Sequence, residues 1–264
     1  MKVVILCGGQ GTRLREETEY RPKPMVHVGP RPILWHIMKG YAQHGFKDFV
    51  LCLGYKGEQI KQFFYEYEVL TSDVTVELGR NRKVELHRDE HPEDGWRVTL
   101  ADTGELALTG ARVKKVARYI DGDRFMLTYG DGVCDVDLTK LLAFHRAHGK
   151  IGTVTGVHPS ARFGELELQK DRVTGFSEKP NVIDSYINGG FFIFERKFLD
   201  YLTVDDACQL ERGPLERLVA DDQLRAYVHD GFWQCMDTVR DMKLLNDLWS
   251  RGRAPWATWA PAGA

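Results

Sequence analysis

Short, wholly apolar runs alternate along this chain with longer stretches whose apolar positions recur every three or four residues. Val3-Val4-Ile5-Leu6 is the first apolar run, and its lack of polar alternation predicts a strand buried on both faces. Ile33, Leu34, Ile37, Met38 and Tyr41 then share one face of a predicted helix, with Pro32 as its first residue and Gly45 as its close. Residues 48–53 read as a second buried strand and residues 58–67 as a second helix. Strand, helix, strand, helix at this spacing predicts an α/β fold with a parallel sheet and right-handed crossovers. Ligands of such sheets bind beyond the carboxyl ends of the strands.

Residues 72–100 break the rhythm. Positions 73–78, 84–87 and 96–101 alternate apolar and polar between turn-like stretches, which predicts a small antiparallel insertion at about 72–100. Asp102-Thr103-Gly104 ends a strand, and Thr109-Gly110 opens a helix to about residue 119. Further on, the pattern predicts strands at 125–128 and 152–157, a hairpin of 164–168 with 173–177, an apolar strand after Asn188-Gly189-Gly190, and a strand at 224–228. Helices are expected at 138–148, 196–202, 214–221 and 239–251, with a loop at 229–238. His145 and His148 share a helical face, with no carboxylate or cysteine partner apparent. Trp256 and Trp259 in the tail predict a subunit contact or a surface groove. No repeat or linker divides residues 1–264, so the expectation is a single domain with the insertion at 72–100 and a terminal helix plus tail at 238–264.

Charge and cysteines narrow the partners. The 36 basic residues are balanced by 38 acidic ones, with no basic run for nucleic acid. Any anion site must come from local placement. The 5 cysteines are scattered, with no C-x-x-C, which points to reduced thiols in a cytoplasmic protein. The N-terminus reads as a strand rather than a signal peptide, and no apolar run is long enough for a bilayer.

The first strand runs into Gly8-Gly9-Gln10-Gly11-Thr12-Arg13-Leu14, followed by Pro22-Lys23-Pro24. Glycines let backbone N–H groups approach an anion, and Arg13 and Lys23 add charge that a neutral ligand would not need. Two familiar phosphate motifs do not fit. A P-loop string is absent, and a dinucleotide fingerprint requires glycine where Leu14 stands. In Gly130-Asp131-Gly132, an acid at a strand's carboxyl end suits Mg²⁺, which binds one or two carboxylates plus substrate phosphates. A glycine-rich turn with Asp131 bonded to its own backbone is the other reading. Asp237 is a second candidate ligand, although it also precedes Thr238, a candidate helix N-cap. Glu178, Lys179 and Asn188 offer acid, amine and amide to a phosphorylated polyhydroxyl ligand.

These motifs, taken together, resemble the sugar-phosphate nucleotidylyltransferases. Residues 32–39, 128–133 and 231–238 most resemble the branch that acts on glucose 1-phosphate with CTP. The resemblance covers nearly the whole chain and implies a Rossmann-like mixed, mostly parallel sheet flanked by helices. It implies transfer of a nucleotidyl group to a sugar 1-phosphate, giving a nucleotide-sugar and pyrophosphate. By the same resemblance, Arg13, Lys23 and Asp131 are the catalytic residues, and Asp131 and Asp237 hold Mg²⁺. Leu6, Gly8, Gly9, Gly11, Thr12, Thr103, Thr109, Gly110 and Arg112 join Arg13, Lys23 and Asp131 around the nucleotide. Tyr129, Glu178, Lys179, Asn188 and Gly189 meet the sugar phosphate. A homo-oligomer is implied, with a hexamer as one candidate assembly, and no nucleic-acid or membrane partner. Another nucleotide, another sugar or cyclitol phosphate, or a catalytically silent sensing subunit are the alternative readings.

Overall fold

A computed structural model describes residues 1–80, 82–87, 93–158, 165–169, 172–177 and 185–259. Its main sheet contains β1 (Lys2–Cys7), β2 (Asp48–Leu53), β3 (Arg97–Asp102), β4 (Arg124–Tyr129), β5 (Gly152–Val157), β6 (Ile187–Asn188), β7 (Phe192–Glu195) and β8 (Leu224–His229). β4, β1, β2 and β3 are parallel neighbours in that order. β7 joins β4 antiparallel, which makes the sheet mixed. One edge of β5 pairs antiparallel with β6 and β7, and the other runs parallel to β8. The mixed, mostly parallel sheet expected from the sequence is therefore present.

The absence of polar alternation in β1 has a direct cause. Val3, Ile5 and Cys7 point into one apolar cluster, with Ile33, Leu34, Ile37 and Met38 of α1 (Ile33–Ala42). Val4 and Leu6 point into another, with Val113, Phe125, Phe192 and Phe194. Both faces of the strand are covered, so neither tolerates a polar residue.

Three expectations need correction. The antiparallel insertion is smaller than 72–100: Asp73–Glu77 pairs with Lys83–His87, but Arg97–Asp102 lies parallel to β2 in the main sheet. Its alternating pattern reflects an edge strand, with one flank unpaired among the described residues and side chains of mixed exposure. The loop expected at 229–238 contains a strand, Trp233–Cys235, paired antiparallel with Gly132–Cys134. The tail does not present its tryptophans outward. Trp256 is buried against His36 of α1, and Trp259 packs edge-on to Trp35.

His36 explains why the tail docks there. Its Nε2 lies 2.8 Å from the Val28 carbonyl, and the Trp256 indole N–H points to its Nδ1 at 3.4 Å. One ring nitrogen must donate and the other accept, which only the neutral imidazole can do. Burial pushes the ring's pKa down to about 4, in keeping with that requirement.

Candidate active site

The carboxyl ends of β1, β2 and β3 are tied together by one side chain. Arg112 leaves α2 (Thr109–Lys115) and its guanidinium donates to the carbonyls of Gly8, Leu53, Gly104 and Glu105, and to Thr103 Oγ1, at 2.7–3.1 Å. This arginine explains why position 8 is glycine: a Cβ there would lie 2.1 Å from Nη1 of Arg112. Gly11 is required for a different reason. It adopts φ +63 as the chain turns into the short helical turn Thr12–Leu14, a conformation that side chains disfavour.

Beyond these strand ends lies a cleft of ≈ 310 Å³. Leu6, Gly8, Gly9, Gly11, Thr12, Arg13, Lys23, Thr109, Arg112, Tyr129 and Asp131 all line it, gathering most of the residues singled out in the sequence. Thr103 and Gly110 stand behind its wall. Thr103 is buried with its hydroxyl donated to Leu53 O at 2.6 Å, and Gly110 backs closely onto Cys208. Arg112 shows the cleft a guanidinium already engaged with backbone oxygens, so it acts as a brace for the wall.

At one side of the cleft the ammonium of Lys23 lies between two carboxylates, 2.6 Å from Asp131 and 2.5 Å from Asp237. Arg13 approaches Asp237 from outside at 2.9 Å. Burial disfavours the charge on Lys23, but the two carboxylates outweigh it and hold the pKa above its ordinary value. Asp237 is likewise desolvated, yet Lys23 and Arg13 keep its carboxyl below the usual range. The unexpected strand makes this meeting possible. Trp233–Cys235 runs along Gly132–Cys134, and Met236 N donates to Asp131 O at 2.8 Å, which sets Asp237 beside the Asp131 loop. Thr238 does cap the following helix, in a reciprocal bond with Asp241. Capping therefore falls to Thr238 and Asp241, leaving the Asp237 carboxylate to the cations.

Two carboxylates converging on one positive charge fit a hard divalent cation, which takes such oxygens readily. The ammonium occupies the position where that charge is wanted.

Across the cleft, Asn188 Nδ2 donates to the Tyr129 hydroxyl at 3.1 Å. The Trp233 indole donates to Gly189 O at 2.8 Å. Glu178 and Lys179 lie outside the described residues. One participant escaped the sequence analysis. Glu211 accepts from Tyr129 at 2.7 Å and from Thr109 at 2.8 Å, bridging the two sides. Burial and then the Glu211 carboxylate raise the Tyr129 pKa, so its hydroxyl stays protonated and donating. Glu211 lies in an irregular stretch with no motif around it, and only its distant partners reveal its place.

A sequence model of the nucleotidyl transferase family matches residues 2–242. The chain belongs to that family. As a nucleotidyl transferase it is 49% identical over 260 residues to the glucose-1-phosphate cytidylyltransferase of Salmonella typhi, covering 98% of this chain and 100% of the relative. It is 31% identical to a mannose-1-phosphate guanyltransferase of Gibberella zeae, over 91% of this chain and 62% of that one. The fold is shared with HddC from Yersinia pseudotuberculosis complexed with GMP-PN, at TM-score 0.67 and 22% identity, covering 94% of this chain and 99% of that one. Nucleotidyl transferases of this kind generally use a divalent metal. No helix among the described residues is long and apolar enough to cross a membrane.

Proposed function

We propose that this nucleotidyl transferase joins CTP to α-D-glucose 1-phosphate, giving CDP-glucose and pyrophosphate. The observation that carries the chemistry is the convergence of Asp131 and Asp237 on one cation beside a glycine-lined anion cleft. The choice of CTP and glucose 1-phosphate rests on relatives such as the Salmonella typhi enzyme.

Gly8, Gly9, Gly11, Thr12 and Arg13 receive the triphosphate, and Lys23 meets its α-phosphate. Thr109 borders the base and ribose, with Gly110 behind it and Arg112 and Thr103 bracing that wall. Tyr129, Asn188 and Gly189 receive the sugar phosphate, together with Glu178 and Lys179. A phosphate oxygen of glucose 1-phosphate attacks the α-phosphorus in line. A new P–O bond forms, the bond to the bridging oxygen of the β-phosphate breaks, and pyrophosphate leaves with that electron pair. No proton transfer is needed, so no general base is required, and positioning and charge stabilisation carry the reaction. Asp131 and Asp237 would hold Mg²⁺, which supplies charge neutralisation to the phosphates when bound. Lys23 and Arg13 stabilise the developing charge on the pyrophosphate from the protein side.

Exposed Tyr65, Leu70, Leu78 and Val84 around the small hairpin support a homo-oligomer, and a cytoplasmic location goes with the substrates. The test is pyrophosphate release from CTP, UTP, dTTP, ATP and GTP, each paired with several sugar 1-phosphates, with and without Mg²⁺. Release confined to CTP with glucose 1-phosphate and Mg²⁺ is expected. Preference for another pair would refute the substrate assignment, and release from no pair would refute the activity.

A further inference from the structure

The ribbon that brings Asp237 to Asp131 also gathers a second set of donors. Cys134 ends the strand Gly132–Cys134, Asp135 follows it, and His229 ends β8. Nε2 of His229 lies 2.8 Å from Oδ1 of Asp135. The Cys134 sulfur, an Asp135 oxygen and a His229 nitrogen all lie within 4.8 Å of one another. Donors around a tetrahedral zinc ion are roughly 3.3–3.6 Å apart, given bonds of about 2.0–2.3 Å. The three donors therefore already lie within about 1.5 Å of that spacing.

The chemistry is also selective. A thiolate, an imidazole and a carboxylate form a mixed S, N, O set that suits zinc, whereas Mg²⁺ takes oxygen donors and water. Without a metal, burial and the Asp135 carboxylate push the Cys134 thiol up to about 12, against the opposing pull of the Val136 and Asp135 N–H groups, so metal binding has to displace its proton. None of the three residues lines the cleft, and the proposed reaction uses none of them.

We propose that Cys134, Asp135 and His229 form a zinc site with three protein donors and a fourth position open to water. The ion would staple the end of β8 to the segment just after Asp131. Asp135 N already donates to Phe232 O at 3.1 Å, so the loop between His229 and Trp233 is held to the same segment. Zinc would thereby fix both chain segments that carry the catalytic carboxylates, without touching substrate.

Cobalt titration of the chelator-stripped, full-length chain, in saturating Mg²⁺, tests the site. A thiolate-to-cobalt charge-transfer band saturating at about one ion per chain is expected, with zinc displacing the cobalt. Cys134→Ser should abolish the band. His229→Gln should weaken cobalt binding by at least the roughly 10–100-fold that loss of an outer-shell partner costs. Cys235→Ser is the necessary control, because Cys235 Sγ lies 3.5 Å from Asp237 Oδ2 and offers a rival thiolate beside the catalytic carboxylates. The band should survive that change. Absence of a band in the wild type, or a band lost in Cys235→Ser and kept in Cys134→Ser, overturns the proposal. Circular dichroism verifies folding. Should Cys134→Ser not fold, unchanged cobalt affinity in His229→Gln overturns it instead.

Discussion

Replacing Lys23 by methionine removes a charge while keeping most of the side chain's volume, and its two consequences run in opposite directions. The ammonium is within 2.6 Å of both carboxylates, and the side chain is only 10% exposed. Such a charge is preorganised and poorly screened, so its loss should cost turnover roughly 10²–10³-fold, or about 3–4 kcal/mol. In the substrate-free site, however, the same ammonium competes with a metal ion for Asp131 and Asp237. A unit pair about 4 Å apart is worth about 4 kcal/mol at an effective dielectric constant of about 20, and partial solvation of Asp131 reduces this. A gain of about tenfold in metal affinity, or about 1.4 kcal/mol, is the expected scale. Steady-state pyrophosphate release across a Mg²⁺ titration reads both effects: kcat falls and the half-saturating metal concentration falls with it. Arg13→Ala provides the contrast. Its side chain is 69% exposed, so its contact with Asp237 is weak: kcat should fall as charge stabilisation on the pyrophosphate is lost, while the half-saturating Mg²⁺ concentration stays nearly unchanged. A Lys23→Met enzyme with kcat within about threefold of wild type, or with unchanged or weaker metal affinity, would refute this reasoning.

Other outcomes follow from the same geometry. Asp131→Asn and Asp237→Asn should each raise the half-saturating Mg²⁺ concentration, and an unchanged metal titration in both would remove them as ligands. Glu211→Ala frees Tyr129 and Thr109 together, so kcat/KM should fall about tenfold or more, with KM rising for both substrates; an effect on one substrate alone would argue against a bridging role. His36 gives a pH dependence. Burial lowers its folded pKa to about 4, so the unfolded chain takes up the proton first as pH falls below about 6.5. Its contribution is fully present above that pH and is lost down to about pH 4, by about 3 kcal/mol in total. Urea unfolding against pH reads this loss, and a His36→Gln chain should show a flatter acid limb.

The parts of the fold that were legible in the sequence were those fixed by local pattern. β1 and α1 declare themselves because one is covered on both faces and the other on one. β3 was misassigned because an edge strand of a parallel sheet is exposed enough to alternate like a hairpin. Trp233–Cys235 was missed because a strand of that length has no periodicity to read, and its pairing depends on Gly132–Cys134 far earlier in the chain. The glycine loop, Lys23, Asp131 and Asp237 stand out in the sequence as candidates, and the structure brings them to one side of the cleft. The role of Arg112 could not be read in the same way, since its five acceptors include four backbone oxygens that carry no side-chain identity. Glu211 and the cluster of Cys134, Asp135 and His229 emerge only when distant segments meet.

Lys23 and Asp237 are 214 residues apart in sequence. On the ribosome, the anion loop, its lysine and Asp131 are all made long before Trp233–Cys235 emerges to pair with Gly132–Cys134. Closing so large a loop is entropically unfavourable, and that contact is well placed to form after the local elements. A nascent or truncated chain lacking it would still carry the anion loop but only one of the two carboxylates. With Asp237 in its proposed role, activity would report that the ribbon of Trp233–Cys235 on Gly132–Cys134 has closed.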